Sequence, residues 1–382
     1  MASPPRLPAA LLPELSPGAG VLVIRLRSLG DTLLTTPALR ALKQWRPDLR
    51  VSLLLYARFA PILAGNSDVD EVIELNPEGP AAPLRVGRLL AGLQQRRFAA
   101  CFNLHGGTLS ALLTRASGAR HRLGFAHFRF RFAYTATAPE PGTVFGRDRL
   151  HCVEGQLALF YAAGLPPGEI PALQLFPQPG ARASVAQKLA VRRVAPGSRY
   201  AVIHPVANFS TKEWPFERYA ALAHLLEEEH GLVPVFICGR GEELKLAAVA
   251  RAYGKAPAPI SLPSKQRTAG LVRLESLTLP ELVALIEGGV LFIGNDSGPA
   301  HIAAALGRPV VVLYGSSDST VWRPWRTPHA VVQNYYPCNP CRGDRCYAFA
   351  EPECILSVSL EQVRAAVAGL LPAVPSTAAQ SG

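Results

Sequence analysis

The sequence predicts an α/β protein made of two doubly wound domains, each with a parallel sheet at its centre. Its 382 residues exceed what one hydrophobic core usually organises. Short apolar runs rich in β-branched residues alternate with amphipathic stretches, which is typical of parallel sheets covered by helices. The alternation is interrupted by a stretch dense in Pro and Gly at 164–198 and then begins again. We therefore expect two Rossmann-like domains that face each other across a cleft.

Strands and helices follow in a regular order in both halves. In the first half, strands are predicted at 21–26, 51–55, 71–75 and 99–104, with a helix through PALRALKQW. In the second half, strands are predicted in YAVIHP, VPVFICG, GVLFIGN and PVVVLYG, and helices in FERYAALAHLLEEEHG, ELKLAAVARAYG and QVRAAVAGLL. The glycine after the first of these helices, Gly231, is expected to end it.

The same patterns divide the chain. We predict a disordered leader at 1–19, a first domain at 20–180, a linker around 177–183, a second domain at 184–358, a final helix at 359–372 and a disordered tail at 373–382. Prolines interrupt the Leu and Ala residues of the leader, whereas a signal peptide needs a continuous apolar stretch. No apolar run approaches the roughly 20 residues of a membrane-spanning helix, so a soluble protein is expected.

The charge of the chain favours a polyanionic partner. Lys and Arg number 39 against 28 Asp and Glu, a formal charge of +11. Such a charge suits a nucleotide, an anionic lipid surface or nucleic acid. Nucleic acid is the least favoured of the three, because no binding signature occurs and the basic residues are scattered without interleaved aromatic residues.

The first motif with chemical potential is RLRSLGDTLLTTP at 25–37. Gly30 permits a tight turn after the first strand, and Asp31 stands at or near the start of a helix. One interpretation is that Asp31 caps the helix, which stabilises by roughly 1 kcal/mol. The other is a general base facing the cleft. Thr36 and Pro37 also resemble a cap and first turn, so the helix could begin there and leave Asp31 in a loop.

The second motif is HPVANFSTKEWPFERY at 204–219. It contains Lys212 in a polar loop between a strand and a helix. A lysine beside the N-terminus of a helix can neutralise a diphosphate, while free backbone N–H groups donate hydrogen bonds to it. The alternative is an ordinary solvated surface lysine.

The third motif is FIGNDSGPAHIAAALGRPVVVLYG at 292–315, a strand, a turn, a helix and a strand. Ser297 is expected to cap the helix, and Gly298 allows a ligand to approach the backbone, so the positive end of the helix dipole would face an anion. Asp296 would repel a phosphate, and we expect it to accept hydrogen bonds from sugar hydroxyls. His301 lies one turn inside the helix, as a ligand contact or as a packed histidine.

Together, LGDTLLTTPALRAL, TKEWP and GNDSGPAHIAAALGRPVVVLYG resemble glycosyltransferase family 9, the heptosyltransferases of the lipopolysaccharide inner core, over residues 20–370. The resemblance implies a GT-B fold with the acceptor on the first domain and the sugar nucleotide on the second. It also implies that the final helix crosses back to the first domain. The family's catalytic Asp corresponds to Asp31, and its phosphate-binding Lys corresponds to Lys212.

The resemblance further implies a donor-binding set, which consists of Asn208, Lys212, Glu243, Leu277, Asp296, Ser297, Gly298 and His301. Asn208 stands where some members have Thr, which leaves that contact open. Glu243 is the acidic residue expected after the second strand of this domain, although Glu242 also fits. Leu277 corresponds to a position near the adenine, where backbone atoms matter more than the side chain.

The implied activity is inverting transfer of a heptose from ADP-heptose to a lipid-linked lipopolysaccharide acceptor. No DxD-type metal pair is evident after the strands, so no cofactor or metal is expected in catalysis. We expect peripheral contact with an anionic membrane, at the cytoplasmic face of the inner membrane. Alternatives are a different sugar nucleotide or acceptor, or a nucleotide-sugar binding protein without turnover. A nicotinamide dehydrogenase is disfavoured because RLRSLGD replaces a G-x-G-x-x-G loop.

Four cysteines stand apart from these motifs, at Cys338, Cys341, Cys346 and Cys354. Their spacing of x2, x4 and x7 could hold zinc or an iron–sulfur cluster, and cysteine-rich segments occur here in some relatives. They could equally be reduced structural cysteines. We assign no catalysis to them.

Overall fold

A computed structural model describes residues 11–255 and 271–371, and the chain divides into two compact units, Met1–Phe176 and Pro177–Gly382. Three parts of the predictions lie outside the described residues. These are residues 1–10 of the leader, residue 372 of the final helix and the tail at 373–382.

The first unit contains one six-stranded sheet. Its strands are β1 Gly20–Ile24, β2 Arg50–Tyr56, β3 Glu71–Leu75, β4 Ala100–Asn103, β5 His121–Phe125 and β6 Ala136–Ala138. Its helices are α1 Leu11–Glu14, α2 Leu29–Trp45, α3 Ala82–Gln95, α4 Thr108–Ala116, α5 Pro141–Phe145 and α6 Cys152–Ala162. Every strand pair is parallel, and the order across the sheet is β3-β2-β1-β4-β5-β6.

The second unit repeats this plan. Its strands are β7 Tyr200–His204, β8 Val233–Ile237, β9 Val272–Leu274, β10 Leu291–Asn295, β11 Val310–Tyr314 and β12 His329–Gln333. Its helices are α7 Pro179–Val191, α8 Phe216–His230, α9 Glu243–Lys255, α10 Leu279–Gly288, α11 Gly298–Ala305, α12 Ser319–Trp322, α13 Glu353–Leu356 and α14 Leu360–Leu370. The sheet is again parallel, in the order β12-β11-β10-β7-β8-β9.

Both sheets have the strand order of the doubly wound Rossmann fold, as predicted. Strands β7, β8, β10 and β11 are buried along their whole length, which explains their continuous apolar sequences. In each unit the winding reverses once, between β1 and β4 and between β7 and β10. Loops leave these two strands toward opposite faces, so a crevice opens beyond their carboxyl ends, where ligands of such sheets bind.

Helix α2 begins earlier than the Thr36–Pro37 pair suggested. It starts at Leu29 with Ser28 as N-cap residue, so Gly30 and Asp31 are already helical and Pro37 lies inside the helix. A proline has no N–H for the carbonyl four residues before it, here that of Leu33. The Thr36 hydroxyl donates to that carbonyl instead, at 2.7 Å, and so satisfies the acceptor that Pro37 leaves open.

The predicted disordered leader is wrong from residue 11 onwards. Leu12 is fully buried, and its N–H donates to the Ala163 carbonyl at 2.8 Å. The Arg46 guanidinium bonds the carbonyls of Leu12 and Leu15 at 2.7 and 2.8 Å. Long-range burial and these hydrogen bonds order the segment despite its prolines.

Two further boundaries differ from the predictions. The predicted linker at 177–183 overlaps α7, which begins at Pro179, a residue suited to the first helical turn. The final helix exists as α14, but Val363 and Val367 are fully buried in the core of the second unit. The helix packs there on β11, β12 and α8. Its apolar stripe thus completes the second core. The implied crossing to the first domain stays a prediction.

Replacing Leu12 by Ala tests the ordered leader. We expect Leu12→Ala to lower the free energy of unfolding by about 2–5 kcal/mol, because it removes a fully buried side chain and leaves a cavity. Chemical denaturation measures the change. The control Leu84→Ala removes a leucine that is 58% exposed and should change stability by less than about 0.5 kcal/mol. If both substitutions changed the free energy of unfolding by the same small amount, the prediction of a disordered leader would be supported instead.

Candidate functional site

Asp31 lies just beyond β1, at the switch point of the first sheet. It is the third residue of α2, and its Oδ2 accepts hydrogen bonds from the Ser28 N–H at 2.8 Å and from the Ser28 hydroxyl at 3.1 Å. Its Oδ1 pairs with the guanidinium of Arg25. The carboxylate remains 17% exposed. Asp31 therefore takes part in a capping box and is also reachable from solvent, so the two predicted interpretations do not exclude each other.

Arg25 and His105 are residues of this site that the sequence patterns did not single out. Arg25 connects the two strands of the switch point, because its guanidinium bonds both Asp31 and the carbonyl of Leu104, directly after β4. Burial, together with the charges of Arg25 and Arg27, lowers the pKa of His105 to about 4. The imidazole beside the arginines is therefore neutral at neutral pH. The motif contained Arg25, but only the fold reveals its partners.

Lys212 and Asp296 form an ion pair at the switch point of the second sheet. Lys212 ends a 3₁₀ turn, Ser210–Lys212, in the loop after β7, and Asp296 follows β10 directly. Lys212 Nζ lies 2.9 Å from Asp296 Oδ2, and the Ser317 hydroxyl donates to the same oxygen at 2.7 Å. The side chains are 22% and 9% exposed. Lys212 is thus a partly buried, paired cation and not a solvated surface lysine.

Ser297 precedes α11 as predicted, but its hydroxyl does not cap the helix. The hydroxyl donates to the Asn295 carbonyl at 3.1 Å and lies 3.1 Å from Nδ1 of His204. Gly298 and Pro299 form the first turn. The first N–H groups of α11 are therefore not bonded by their cap side chain, and the positive end of the helix dipole lies beside the ion pair.

Two buried histidines accompany this helix. His204, the last residue of β7, is 8% exposed, and burial lowers its pKa to about 4. His301 is 5% exposed and lies on α11, one turn from Ser297. His301 is thus buried, as the packed interpretation requires. His204 was not predicted as a site residue, although it stands at the start of the second motif.

Glu243 lies beyond the carboxyl end of β8, where the resemblance implied an acidic residue. It is the first residue of α9, and its carboxylate accepts a hydrogen bond from the Gly241 N–H at 3.1 Å. Backbone hydrogen bonds hold the pKa of Glu243 below its usual range. Glu242 is engaged differently, because it accepts from the Gly239 N–H at 2.7 Å and so closes the preceding turn.

Asn208 and Leu277 complete the predicted donor set. Asn208 is exposed in the loop after β7, and Leu277 is half-buried in the loop after β9. These two loops and the loop before Glu243 all follow the carboxyl ends of neighbouring parallel strands of the second sheet. Within the described ranges, no hydrogen bond or ion pair joins any of the three to Lys212 or Asp296. The structure brings Lys212, Asp296 and Ser297 together, and the other three remain separate.

Glu213 supports the Lys212 loop and was not predicted. Its Oε1 accepts a hydrogen bond from the Ala207 N–H at 3.0 Å and pairs with Lys245 of α9 at 2.5 Å. The loop is therefore closed on itself and attached to the neighbouring helix. Glu213 belongs to the quoted TKEWP sequence, so a signal was present, but the partner residue depends on the fold.

The fold is that of the GT-B class. A glycosyltransferase family 9 protein from Veillonella parvula superposes with a TM-score of 0.78 at 20% identity, covering 93% of this chain and 98% of the other. ADP-heptose lps heptosyltransferase II from Escherichia coli superposes with a TM-score of 0.72 at 21% identity, covering 92% and 98%. At these identities the similarity shows the fold.

Sequence comparison shows the family. The family model described as glycosyltransferase family 9 (heptosyltransferase) matches residues 86–349. Lipopolysaccharide heptosyltransferase 3 of Escherichia coli K12 is 30% identical over 306 residues, which cover 78% of this chain and 82% of that protein. The chain belongs to glycosyltransferase family 9. Within the described ranges, none of its helices combines the length and the apolar character that crossing a bilayer needs.

The buried His204 predicts a specific pH dependence of stability. Its folded-state pKa of about 4 lies below the ordinary 6.5, so the unfolded chain binds the proton more readily. The stabilising contribution is complete above pH 6.5 and is lost as the pH falls toward 4. Between about pH 7 and pH 5 we expect a loss of about 2 kcal/mol in unfolding free energy from this residue.

His204→Gln should lose less stability over that range than the unmodified protein, as measured by chemical denaturation at both pH values. His127→Gln replaces a histidine whose side chain is 46% exposed and serves as the control. It should retain the full dependence. The same pH dependence in His204→Gln as in the unmodified protein would show that His204 is not held in its neutral form.

Proposed function

We propose that the protein transfers a heptose from ADP-heptose to a lipopolysaccharide inner-core sugar, with inversion at the anomeric carbon. The observation that carries the proposal is the Lys212–Asp296 pair beside the uncapped start of α11, at the switch point where a nucleotide diphosphate binds in such sheets. The membership in family 9 supports the type of reaction, and the names of the relatives support ADP-heptose as the donor.

On the donor side, Lys212 exchanges Asp296 for the diphosphate of ADP-heptose. The first N–H groups of α11, at Ser297 and Gly298, bond the same phosphates, and Asp296 then accepts hydrogen bonds from donor hydroxyls. Asn208, Glu243, Leu277 and His301 complete the donor site. As the bond from the anomeric carbon to ADP breaks, its electron pair remains on the diphosphate. Lys212 binds this growing charge more strongly than the intact donor.

On the acceptor side, Asp31 takes the proton from the attacking hydroxyl. The acceptor oxygen bonds the anomeric carbon from the face opposite ADP, which inverts its configuration. Arg25 acts as a positioning residue, because it holds one carboxylate oxygen while Ser28 holds the other. We propose that no divalent ion takes part, because Lys212 and the α11 dipole already supply positive charge to the leaving group.

The acceptor is proposed to be lipid-linked, with the protein at the cytoplasmic face of the inner membrane. The charge of +11 favours an anionic lipid surface, where each basic group contributes about 1 kcal/mol. A loop of the first unit also combines Arg129 and Arg131 with Phe132, whose side chain is 53% exposed. This interleaving of basic and aromatic residues in HFRFRF departs from the otherwise scattered distribution of basic residues.

Nucleotide binding tests the donor side. We expect ADP to raise the thermal unfolding midpoint more than UDP, GDP or NAD, because the ligand that binds most tightly stabilises the folded protein most. A ligand present at about 100 times its Kd stabilises the folded state by about 2.7 kcal/mol. Lys212→Ala should remove most of the gain from ADP and also lower the rate of transfer, since the ammonium meets the diphosphate before and during departure.

Lys188→Ala is the matched control for Lys212. Lys188 also pairs with a carboxylate, Glu281, at 2.7 Å, but it lies on α7 away from the switch point. Its ADP response should equal that of the unmodified protein. Equal responses in Lys212→Ala and Lys188→Ala would contradict the assignment of Lys212 to the diphosphate.

Asp31→Asn tests the acceptor side. The amide oxygen of an asparagine can still accept the hydrogen bond from the Ser28 N–H, but the side chain loses the ion pair with Arg25 and cannot take up the proton from the acceptor. We expect transfer to fall by about a hundredfold or more, while donor affinity measured by calorimetry stays within about a few-fold. Loss of donor binding as well would show that Asp31 belongs to the donor site.

The chain offers a matched control in Glu154 of the same unit. Glu154 is the third residue of α6, accepts a hydrogen bond from the His151 N–H at 2.8 Å and pairs with Arg147. It therefore repeats the cap and ion pair of Asp31 away from the switch point. Glu154→Gln should cost stability as Asp31→Asn does, with transfer unchanged. If both variants lose transfer equally, the effect of Asp31 is structural.

A further inference from the structure

One stretch of the first unit carries most of the net charge of the chain. Between Glu78 and Glu140 the sequence contains nine Arg but no Lys, Asp or Glu, so its formal charge is +9, against +11 for the whole chain. The carboxylates that flank the stretch have partners of their own. Glu78 pairs with Arg58 at 2.9 Å, and Glu140 lies 2.7 Å from His127. The positive charge of the stretch is therefore not offset by acids within it.

The fold gathers part of this charge on one face of the first sheet. Helix α3 connects β3 to β4, and α4 connects β4 to β5, so both connections cross the sheet in the same direction. Because such crossovers are right-handed, the two helices lie on the same face. Helix α4 contacts both α3 and the 3₁₀ turn Arg131–Ala133. Arginines that are distant in sequence are thereby brought to one surface.

This surface, the arginine face, combines exposed guanidinium groups with exposed apolar side chains. Leu112 is 49% exposed and Phe132 is 53% exposed, although their neighbours Ala111 and Ala133 are buried together in one small core. The arginine face consists of Arg88 of α3, Leu112 and Arg115 of α4, and Arg129, Arg131 and Phe132 of the segment after β5.

Aromatic packing holds the segment after β5 in place. Phe128 and Phe130 pack against the small core that contains Tyr134. The ring of Phe132 meets that of Phe130 edge to face, with 6.1 Å between the centroids. Phe132 therefore remains half exposed at the border of a packed cluster.

The same segment touches the turn after β4, on the acceptor side of the proposed site. A Cβ at Gly106 would lie only 2.6 Å from the ring of Phe128. The Asn103 amide at the end of β4 donates to the Tyr134 hydroxyl at 3.0 Å. Because Gly106 directly follows His105, whatever binds the arginine face also lies near the turn that carries this histidine.

We propose that the arginine face binds the anionic surface of a phospholipid membrane. Each guanidinium group can donate two parallel hydrogen bonds to a lipid phosphate. Leu112 and Phe132 enter the headgroup region, where their exposed apolar surface leaves water. The inference rests on the proposed lipid-linked acceptor, because a bound arginine face keeps the turn after β4 close to the bilayer that carries this acceptor.

The apolar members of the arginine face favour lipid over nucleic acid. Single-stranded nucleic acid binds through bases that stack on open aromatic faces in a basic groove. Leu112 has no aromatic face to offer. A membrane needs only apolar surface among basic groups, and Leu112 and Phe132 both supply it.

Cosedimentation of the full-length protein with vesicles tests the proposal. We expect binding to vesicles of phosphatidylglycerol and phosphatidylethanolamine that weakens as salt is added, and little binding to phosphatidylcholine alone. Arg129→Gln combined with Arg131→Gln should lower the vesicle affinity by about 25-fold, since each basic group contributes about a factor of five at an anionic surface. Failure to bind the anionic vesicles at low salt, or tighter binding of a single-stranded oligonucleotide, would overturn the proposal.

The chain offers a matched control in the second unit. Arg192 and Arg193 are exposed and adjacent, so Arg192→Gln combined with Arg193→Gln removes the same charge from another surface. Its vesicle affinity should fall by less than about twofold. Equal losses in the two double variants would mean that net charge governs binding, and the arginine face would have no special role.

A second pair of substitutions guards against misfolding of the loop variant, since Arg131 also donates to the Ala126 carbonyl at 3.2 Å. Arg88→Gln combined with Arg115→Gln changes only α3 and α4, and its vesicle affinity should also fall by about 25-fold. Thermal unfolding identifies the variants that remain folded. Unchanged affinity in this folded double variant contradicts the proposed surface.

Insertion of Phe132 has its own measurement. Phe132→Trp should show tryptophan fluorescence quenching by vesicles with brominated lipid chains beyond that of the unmodified protein. Val191→Trp is the control, because Val191 is 74% exposed in the second unit, and it should add no quenching. Equal quenching in both variants would overturn the insertion. Vesicle binding needs neither donor nor transfer, and transfer to a delipidated acceptor needs no vesicle, so failures of this proposal and of the proposed function are distinguishable.

Discussion

One buried amide in each unit organises the loops of its switch point. Asn295, fully buried at the end of β10, donates to the Pro205 carbonyl at 2.8 Å and accepts from the Trp214 N–H at 3.2 Å, so it holds the loop after β7 at both ends. Asn103, at the end of β4, accepts from the Gly106 N–H at 3.0 Å. Leaving such buried groups unbonded costs about 1–3 kcal/mol each, so the amides determine where Lys212 and the residues after β4 can lie.

Much of the fold follows from local sequence because its central strands are buried on both faces. All five residues of the run VVVLY in β11 are buried, as expected of a parallel strand covered on both faces. Four strands were not predicted, and three of them, β6, β9 and β12, are edge strands. The fourth, β5, lies inside the first sheet but begins with two half-buried polar residues, His121 and Arg122. In β9 only three residues pair, and β12 begins with a histidine and has a single buried residue, Val332. The ordered structure of the leader from residue 11 onwards was not predicted, because it depends on contacts with residues that are distant in sequence.

The site could be predicted where a residue is recognised by its own type and position, as for Asp31 and Lys212. It could not be predicted where a residue acts through a partner that only the fold supplies. Arg25 meets Asp31 and Leu104 because β1 and β4 are neighbours, and Ser317 reaches Asp296 from the end of β11. The prediction that the Ser297 hydroxyl caps α11 was wrong for the same reason, because that hydroxyl lies beside His204 of β7. Spacing along one strand does not encode contacts between strands.

The Lys212–Asp296 pair explains how such a site can exist before its donor arrives. Asp296 is nearly buried, and a buried carboxylate without a partner would cost several kcal/mol, so Lys212 and Ser317 offset its desolvation. In the proposed reaction the diphosphate replaces the carboxylate as the partner of Lys212, and the donor hydroxyls then replace Lys212 at Asp296. One set of charge-assisted hydrogen bonds is exchanged for another. The ammonium therefore meets the leaving group already largely stripped of water, which strengthens its response to the charge that develops there.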